Sequence, residues 1–68
     1  MPIVRIEMLP GRTQQQKDEL IKAMTNAMAT IAKTSTEAVH VIIVETAAEH
    51  WGMGGETIAA RNKKKAAK

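Results

Sequence analysis

Residues 3–9, Ile-Val-Arg-Ile-Glu-Met-Leu, place Val4, Ile6 and Met8 on one face and Ile3, Arg5, Glu7 and Leu9 on the other. That period of two predicts a β-strand, and Pro10-Gly11 ends it. Thr13 followed three residues later by Gln16 has the form of a capping box, while Asp18 and Glu19 put negative charge near the positive end of a helix dipole. Leu20, Ile21, Met24, Ala27, Met28, Ile31 and Ala32 then recur at spacings of three and four, leaving Lys17, Lys22, Asn26 and Lys33 mostly toward water. The stripe predicts one amphipathic helix of about five turns. Thr34-Ser35-Thr36 interrupts it, and Val39 to Glu45 is a β-branched run with large apolar groups on both faces. Such a run predicts a strand buried on two sides. The helix can cover one side; the other needs a layer that so short a chain cannot supply.

Strand, helix and strand at this spacing predict a βαβ unit with parallel strands and a right-handed crossover, an α+β subunit. Trp51-Gly-Met-Gly-Gly-Glu is dense in glycine and predicts a turn or short C-terminal hairpin whose strands pair with a neighbouring chain. No internal repeat is evident.

The 68 residues, 44% apolar and 25% charged, make one small domain. Eleven of the apolar residues are Ala, leaving 19 large ones, and there is no cysteine to supply a disulfide or a thiolate metal site. Chains this small rarely stabilise themselves by core burial alone. The missing burial therefore points to oligomerisation. No stretch resembles a signal peptide, and the longest fully apolar run is Val41 to Val44, far short of a membrane span. The reading is a soluble cytoplasmic protein with no membrane contact.

The net charge of +3 is unevenly placed: Arg61, Lys63, Lys64, Lys65 and Lys68 hold half of the ten cations. Residues 1–60 carry five cations against seven acids. A mildly acidic body argues against a nucleic-acid-binding face. The chain accordingly divides into a domain over residues 1–61 and a basic C-terminal tail over 62–68, the tail reading as a solvated end.

Most catalytic templates fail. Two histidines separated by nine residues make a poor zinc site, Gly-Met-Gly-Gly lacks the Lys-Ser/Thr of a phosphate loop, and the lone Ser35 has no nucleophile-elbow setting. One unusual group remains. Pro2 stands directly behind Met1, and a small second residue ordinarily permits removal of the initiator, which would turn the proline nitrogen into a secondary amine. Amino termini titrate near 7.7–8.0; burial and neighbouring cations move such a group toward neutrality. A base poised there suits proton abstraction beside a carbonyl.

Pro2-Ile3 opening a strand, Leu9-Pro10-Gly11-Arg12-Thr13, the Gln/Lys-Asp/Glu-rich helix start, Val41-Ile42-Ile43 and His50-Trp51-Gly52-Met53-Gly54-Gly55-Glu56 together resemble the 4-oxalocrotonate tautomerase family, over Pro2 to about Arg61. The resemblance implies a βαβ subunit, dimers whose sheets join into one of four strands, and a homohexamer built as a trimer of dimers. It also implies an isomerase in which an amino-terminal proline shuttles a proton within a small unsaturated 2-hydroxy or 2-keto acid, with no metal or organic cofactor. Pro2 matches the family's catalytic base, Arg12 its substrate-carboxylate ligand and Trp51 its aromatic wall. On composition alone Arg12 reads as a solvated loop cation and Trp51 as a core or interface aromatic.

His40 departs from the pattern, since this position is an arginine in the best-known members. An imidazole carries no fixed charge near pH 7 and cannot make the same bidentate contact, which brings a dicarboxylate substrate into question and leaves His40 a supporting substrate-binding role. Strand length adds a constraint: at about 3.3 Å per residue, Pro2 and Arg12 lie roughly 20 Å apart within one chain. If both serve one pocket, Arg12 comes from a neighbouring subunit. Two other readings remain open: hydration, dehalogenation or decarboxylation of a small unsaturated acid, with Glu7, Glu45 and Glu56 as candidate carboxylates, or a non-catalytic oligomeric binding protein using its Lys-rich tail.

Overall fold

Alternation becomes a strand wherever the chain alternates. In the computed structural model, which describes residues 1–66, β1 (Ile3–Met8) and β2 (His40–Glu45) form a two-stranded parallel sheet running from Ile3 opposite His40 to Met8 opposite Glu45. The helix α1 (Gln14–Ile31) makes the crossover between them. A short antiparallel hairpin, β3 (Gly52–Met53) with β4 (Glu56–Thr57), leads into a second helix, α2 (Ile58–Ala66). No described helix is long and apolar enough to cross a membrane.

The expected capping box opens α1. The Gln16 amide donates to the Thr13 hydroxyl at 3.1 Å, and the Thr13 amide donates to the Gln16 side chain at 2.9 Å. Two otherwise orphaned N–H groups are thereby satisfied. At the other end Lys33 takes φ 57° and the Thr34 amide donates back to the Ala29 carbonyl at 3.1 Å. This is a Schellman closure carried by a residue other than glycine, which no feature of composition announced. Lys17 anchors the first turn of α1 to the end of β2 through Glu45, 3.2 Å away.

The sheet has two unlike faces. Val4 and Ile6 lie in register with Val41 and Ile43, and all four are half-buried on the face that meets α1. Opposite them, Ile3, Arg5 and Glu7 stand beside His40, Ile42 and Val44; Ile3 is 62% exposed and Ile42 44%. The second covering layer that β2 calls for is therefore not in the chain.

The α1 stripe is also unfinished. Leu20, Ile21, Met24 and Met28 are half-buried, but Ile31 remains 80% exposed. Val4, Met24, Ala27, Met28, Ile31 and Ala32 line an open apolar groove of about 220 Å³. No described residue is fully buried. The radius of gyration is 15.9 Å, against roughly 11 Å for a compact chain of this length. The accessible area is 5274 Å², about 1,000 Å² above what a compact monomer of this mass exposes. That excess is comparable with the area each partner loses in a stable protein interface.

The basic C-terminal segment is solvated, as its charge suggests, but helical rather than frayed as far as residue 66. Arg61 to Lys65 continue α2 directly from the hairpin, all five exposed, while residues 67 and 68 of the tail lie outside the described residues. Ile58-Ala59-Ala60 gives the helix a half-buried start, and the Ala60 amide donates to the Thr57 hydroxyl at 3.1 Å. Thr57 acts there as an N-terminal cap, a signal hidden by the glycines before it.

The two ends of α1 respond oppositely to substitution. Thr13→Ala, which leaves the Gln16 amide unpaired, destabilises the fold by about 1 kcal/mol. Lys33→Gly, which relieves a left-handed side chain, stabilises it by up to about 1 kcal/mol. Denaturant melts of both variants at one protein concentration check the pair of signs.

Candidate active site

Pro2 enters β1 half-buried, and its carbonyl accepts the His40 amide at 3.0 Å. The terminal residue is thus tied to the first residue of β2. The 3₁₀ turn Thr36–Ala38 aims the chain into that strand, with the Val39 amide bonded to the Thr36 carbonyl at 3.3 Å. His40 is exposed and lies opposite Ile3, next to Pro2. With Met1 attached the Pro2 nitrogen is an amide; the group becomes basic only when Met1 is removed.

Arg12 lies past the far end of β1, in the loop that joins it to α1. Gly11 takes φ 129°, a backbone conformation that a side chain rarely permits. The turn leaves Arg12 exposed, held lightly by a 3.4 Å bond from its Nη1 to the Leu9 carbonyl. No acid of the chain pairs with this guanidinium among the described residues. It remains available for a carboxylate.

Trp51 follows β2 through the 3₁₀ turn Ala48–His50 and is half-buried. Its amide bonds to the Ala48 carbonyl at 3.5 Å, and its carbonyl accepts the Ile58 amide at 2.7 Å. The hairpin between them reverses at Gly54 and Gly55, with φ of 61° and 86°. Two consecutive positive values need glycine, and they return Thr57 to lie opposite Gly52. The indole is consequently carried on a short lever fastened at both ends. β3 and β4 pair with each other, as the short hairpin expected from the glycine-dense sequence.

The structure joins Pro2 to His40 and separates both from Arg12. Six residues of parallel strand lie between, about 20 Å at 3.3 Å per residue. Arg12 and Trp51 each follow the C-terminal end of a sheet strand, whereas Pro2 and His40 stand at the N-terminal ends. The candidate site residues therefore fall at opposite ends of the two sheet strands of one subunit.

The three carboxylates considered for water activation are all engaged. Glu7 lies 3.7 Å from Arg5, Glu45 3.2 Å from Lys17, and Glu56 pairs with Lys64. Sequence reasoning missed the Ile58 bond to Trp51, because a backbone contact leaves no residue-type signature. It also missed that the helix behind this bond carries the basic cluster.

Comparison with known proteins agrees with this fold. The family described as tautomerase enzyme matches residues 2–61. The 2-hydroxymuconate tautomerase of Pseudomonas sp. strain CF600 is 41% identical over 56 residues, 82% of this chain and 89% of that protein. The crystal structure of TomN, a 4-oxalocrotonate tautomerase homologue of the tomaymycin biosynthetic pathway, superimposes with a TM-score of 0.88 at 39% identity, covering 91% of this chain and 95% of TomN. A heterohexameric 4-oxalocrotonate tautomerase from Chloroflexus aurantiacus J-10-fl gives 0.82 at 39% identity, over 87% and 95% of the respective chains.

The hairpin's role in holding Trp51 is open to test. Gly55→Val forces a β-branched side chain into the left-handed region and costs about 1–2 kcal/mol. The Trp51 emission shifts toward that of a solvated indole before the helical circular dichroism is lost.

Proposed function

The chain belongs to the tautomerase family and is an isomerase of the 4-oxalocrotonate tautomerase type, and from that footing we propose that Pro2 is the general base that moves a proton from oxygen to carbon in a small unsaturated 2-hydroxy acid. Once Met1 is cleaved, the Pro2 nitrogen has a free lone pair. It takes the enol hydroxyl proton, the oxygen becomes a carbonyl, and the double bonds shift along the conjugated chain. The same nitrogen then returns the proton to a carbon of that chain. One O–H bond breaks and one C–H bond forms, with no change in oxidation state.

Arg12 holds the substrate carboxylate through its guanidinium fork. Trp51 keeps water from the amine and disfavours its charged form. His40, bonded through its amide to the Pro2 carbonyl, lines the base end of the pocket. The name of the Pseudomonas relative supplies the substrate to assay, 2-hydroxymuconate.

The separation of Pro2 from Arg12 by the length of β1 carries this reading. Both reach one ligand only if a second copy reverses direction beside the first, bringing its Arg12 and Trp51 to the neighbour's Pro2. The open apolar groove and the uncovered sheet face support such a copy. We propose a homo-oligomer in which two subunits extend the sheet to four strands and three such dimers make a hexamer; the Chloroflexus relative is itself a heterohexamer. Glu45 and Glu56 are held by Lys17 and Lys64, which supports proton transfer over hydration, while Glu7 sits exposed beside Arg5.

Mass spectrometry first establishes loss of Met1, and the ultraviolet absorbance of 2-hydroxymuconate then follows turnover. Pro2→Ala lowers kcat by about 10²- to 10⁴-fold, and Arg12→Ala raises KM by roughly 10- to 100-fold. Refolding the two variants together restores activity to about one site in four by random assortment across the interface. Equal background rates for parent and Pro2→Ala would identify a binding protein instead, and a mixture without recovery would place the pocket within one subunit.

A further inference from the structure

The charge of this chain is segregated. Residues 1–47 hold five cations and five acids, and residues 48–65 hold four cations against Glu49 and Glu56. All four of those cations are on α2, and Lys64 is occupied by Glu56. Arg61, Lys63 and Lys65 form no ion pair among the described residues, and each is exposed.

This helix is joined to the candidate pocket at its first residue. The Ile58 amide donates to the Trp51 carbonyl at 2.7 Å. At a rise of 1.5 Å per residue, Arg61 lies about 5 Å and Lys65 about 10 Å along the axis from that bond. Those distances are no greater than the screening length of roughly 10 Å at 0.1 M salt. The cationic part of α2 thus begins within that length of the Trp51 backbone, and with Glu49 and Glu56 set against its four cations the segment keeps a positive balance.

We propose that α2 is an electrostatic guide for the substrate: Lys63 and Lys65, with Arg61, raise the local concentration of a carboxylate at Trp51 without touching it. The proposal rests on the anionic substrate of the preceding section. It assigns Arg61, the last residue of the matched family region, and Lys63 and Lys65 just beyond it a part in capture and none in chemistry. A unit charge about 10 Å away in water changes the local population of a monoanion about twofold, and that of a dianion about fourfold. Several such charges acting together matter at low salt and fade as salt rises.

The test compares parent, Lys63→Gln/Lys65→Gln and Lys63→Arg/Lys65→Arg, with 2-hydroxymuconate, its monoacid analogue and a fully esterified analogue, from about 0.01 to 0.2 M salt. With each interaction energy screened to about 0.7 of its value in pure water at 0.01 M salt, neutralising both lysines lowers kcat/KM there by about threefold for the monoacid and about sevenfold for the diacid. The change lies in KM, kcat is unmoved, the salt slope flattens, the arginine pair restores it, and the ester is indifferent throughout. An unchanged salt slope in the glutamine pair overturns the guide while Pro2→Ala still abolishes turnover, leaving the base assignment standing. Loss of kcat, or equal losses for acid and ester, assigns the lysines to structure and also overturns it. Failure of the parent to turn over any of the acids removes the base assignment, and the guide with it. Salt-sensitive binding of a short DNA duplex that the glutamine pair loses, with kinetics unaltered, would give the helix to phosphates rather than substrate.

Discussion

A two-stranded parallel sheet with one helix on one side cannot bury its other side, and the rest of the molecule answers to that deficit. Parallel strands need a crossover, and here it consumes α1, the only long helix among the described residues. Once α1 lies over Val4, Ile6, Val41 and Ile43, nothing remains to cover Ile3 and Ile42. The same shortage leaves Ile31 at the end of the helix facing an open groove. Apolar area left in water is a standing drive toward association, at about 25 cal/mol for each Å² removed.

This shortage and the separation of the candidate site residues share one origin. A strand of six residues is long enough to part Pro2 from Arg12 and too short to fold back on itself. The subunit presents a nitrogen at one end and a guanidinium with an indole at the other. Association that covers the apolar faces also offers a way to unite those ends, and in the proposed assembly stability and chemistry would be asked of the same contacts. In such an arrangement a core substitution far from Pro2 can silence the site by weakening assembly.

Much of this was legible because the elements advertise themselves by period. The alternation of Val4, Ile6 and Met8, the three-four spacing from Leu20 to Ile31 and the Thr13-Gln16 pair each report a local energy. Pro2, Arg12 and Trp51 were recognisable as candidates through their sequence surroundings, and the separation of Pro2 from Arg12 followed from strand length. What escaped has no local signature. The left-handed Lys33 closes α1 where glycine is the usual choice. The start of α2 rests on Thr57 and on an amide given to Trp51, and glycines mask both. Charge composition marked Arg61 to Lys65 as basic, but only the fold attaches that charge to the hairpin carrying the indole.

The bond from the His40 amide to the Pro2 carbonyl has a consequence for maturation. Chain ends ordinarily fray, and a catalytic group placed at one would lose positional order with every ligand cycle. Here the anchor uses the carbonyl side of the residue and leaves the nitrogen side uncommitted. Excision of the leading methionine can therefore change the chemistry of the nitrogen without disturbing its tether. If Pro2 is the base proposed above, a fusion tag on that nitrogen would keep the same tether while removing the lone pair, a defect that no folding assay would detect.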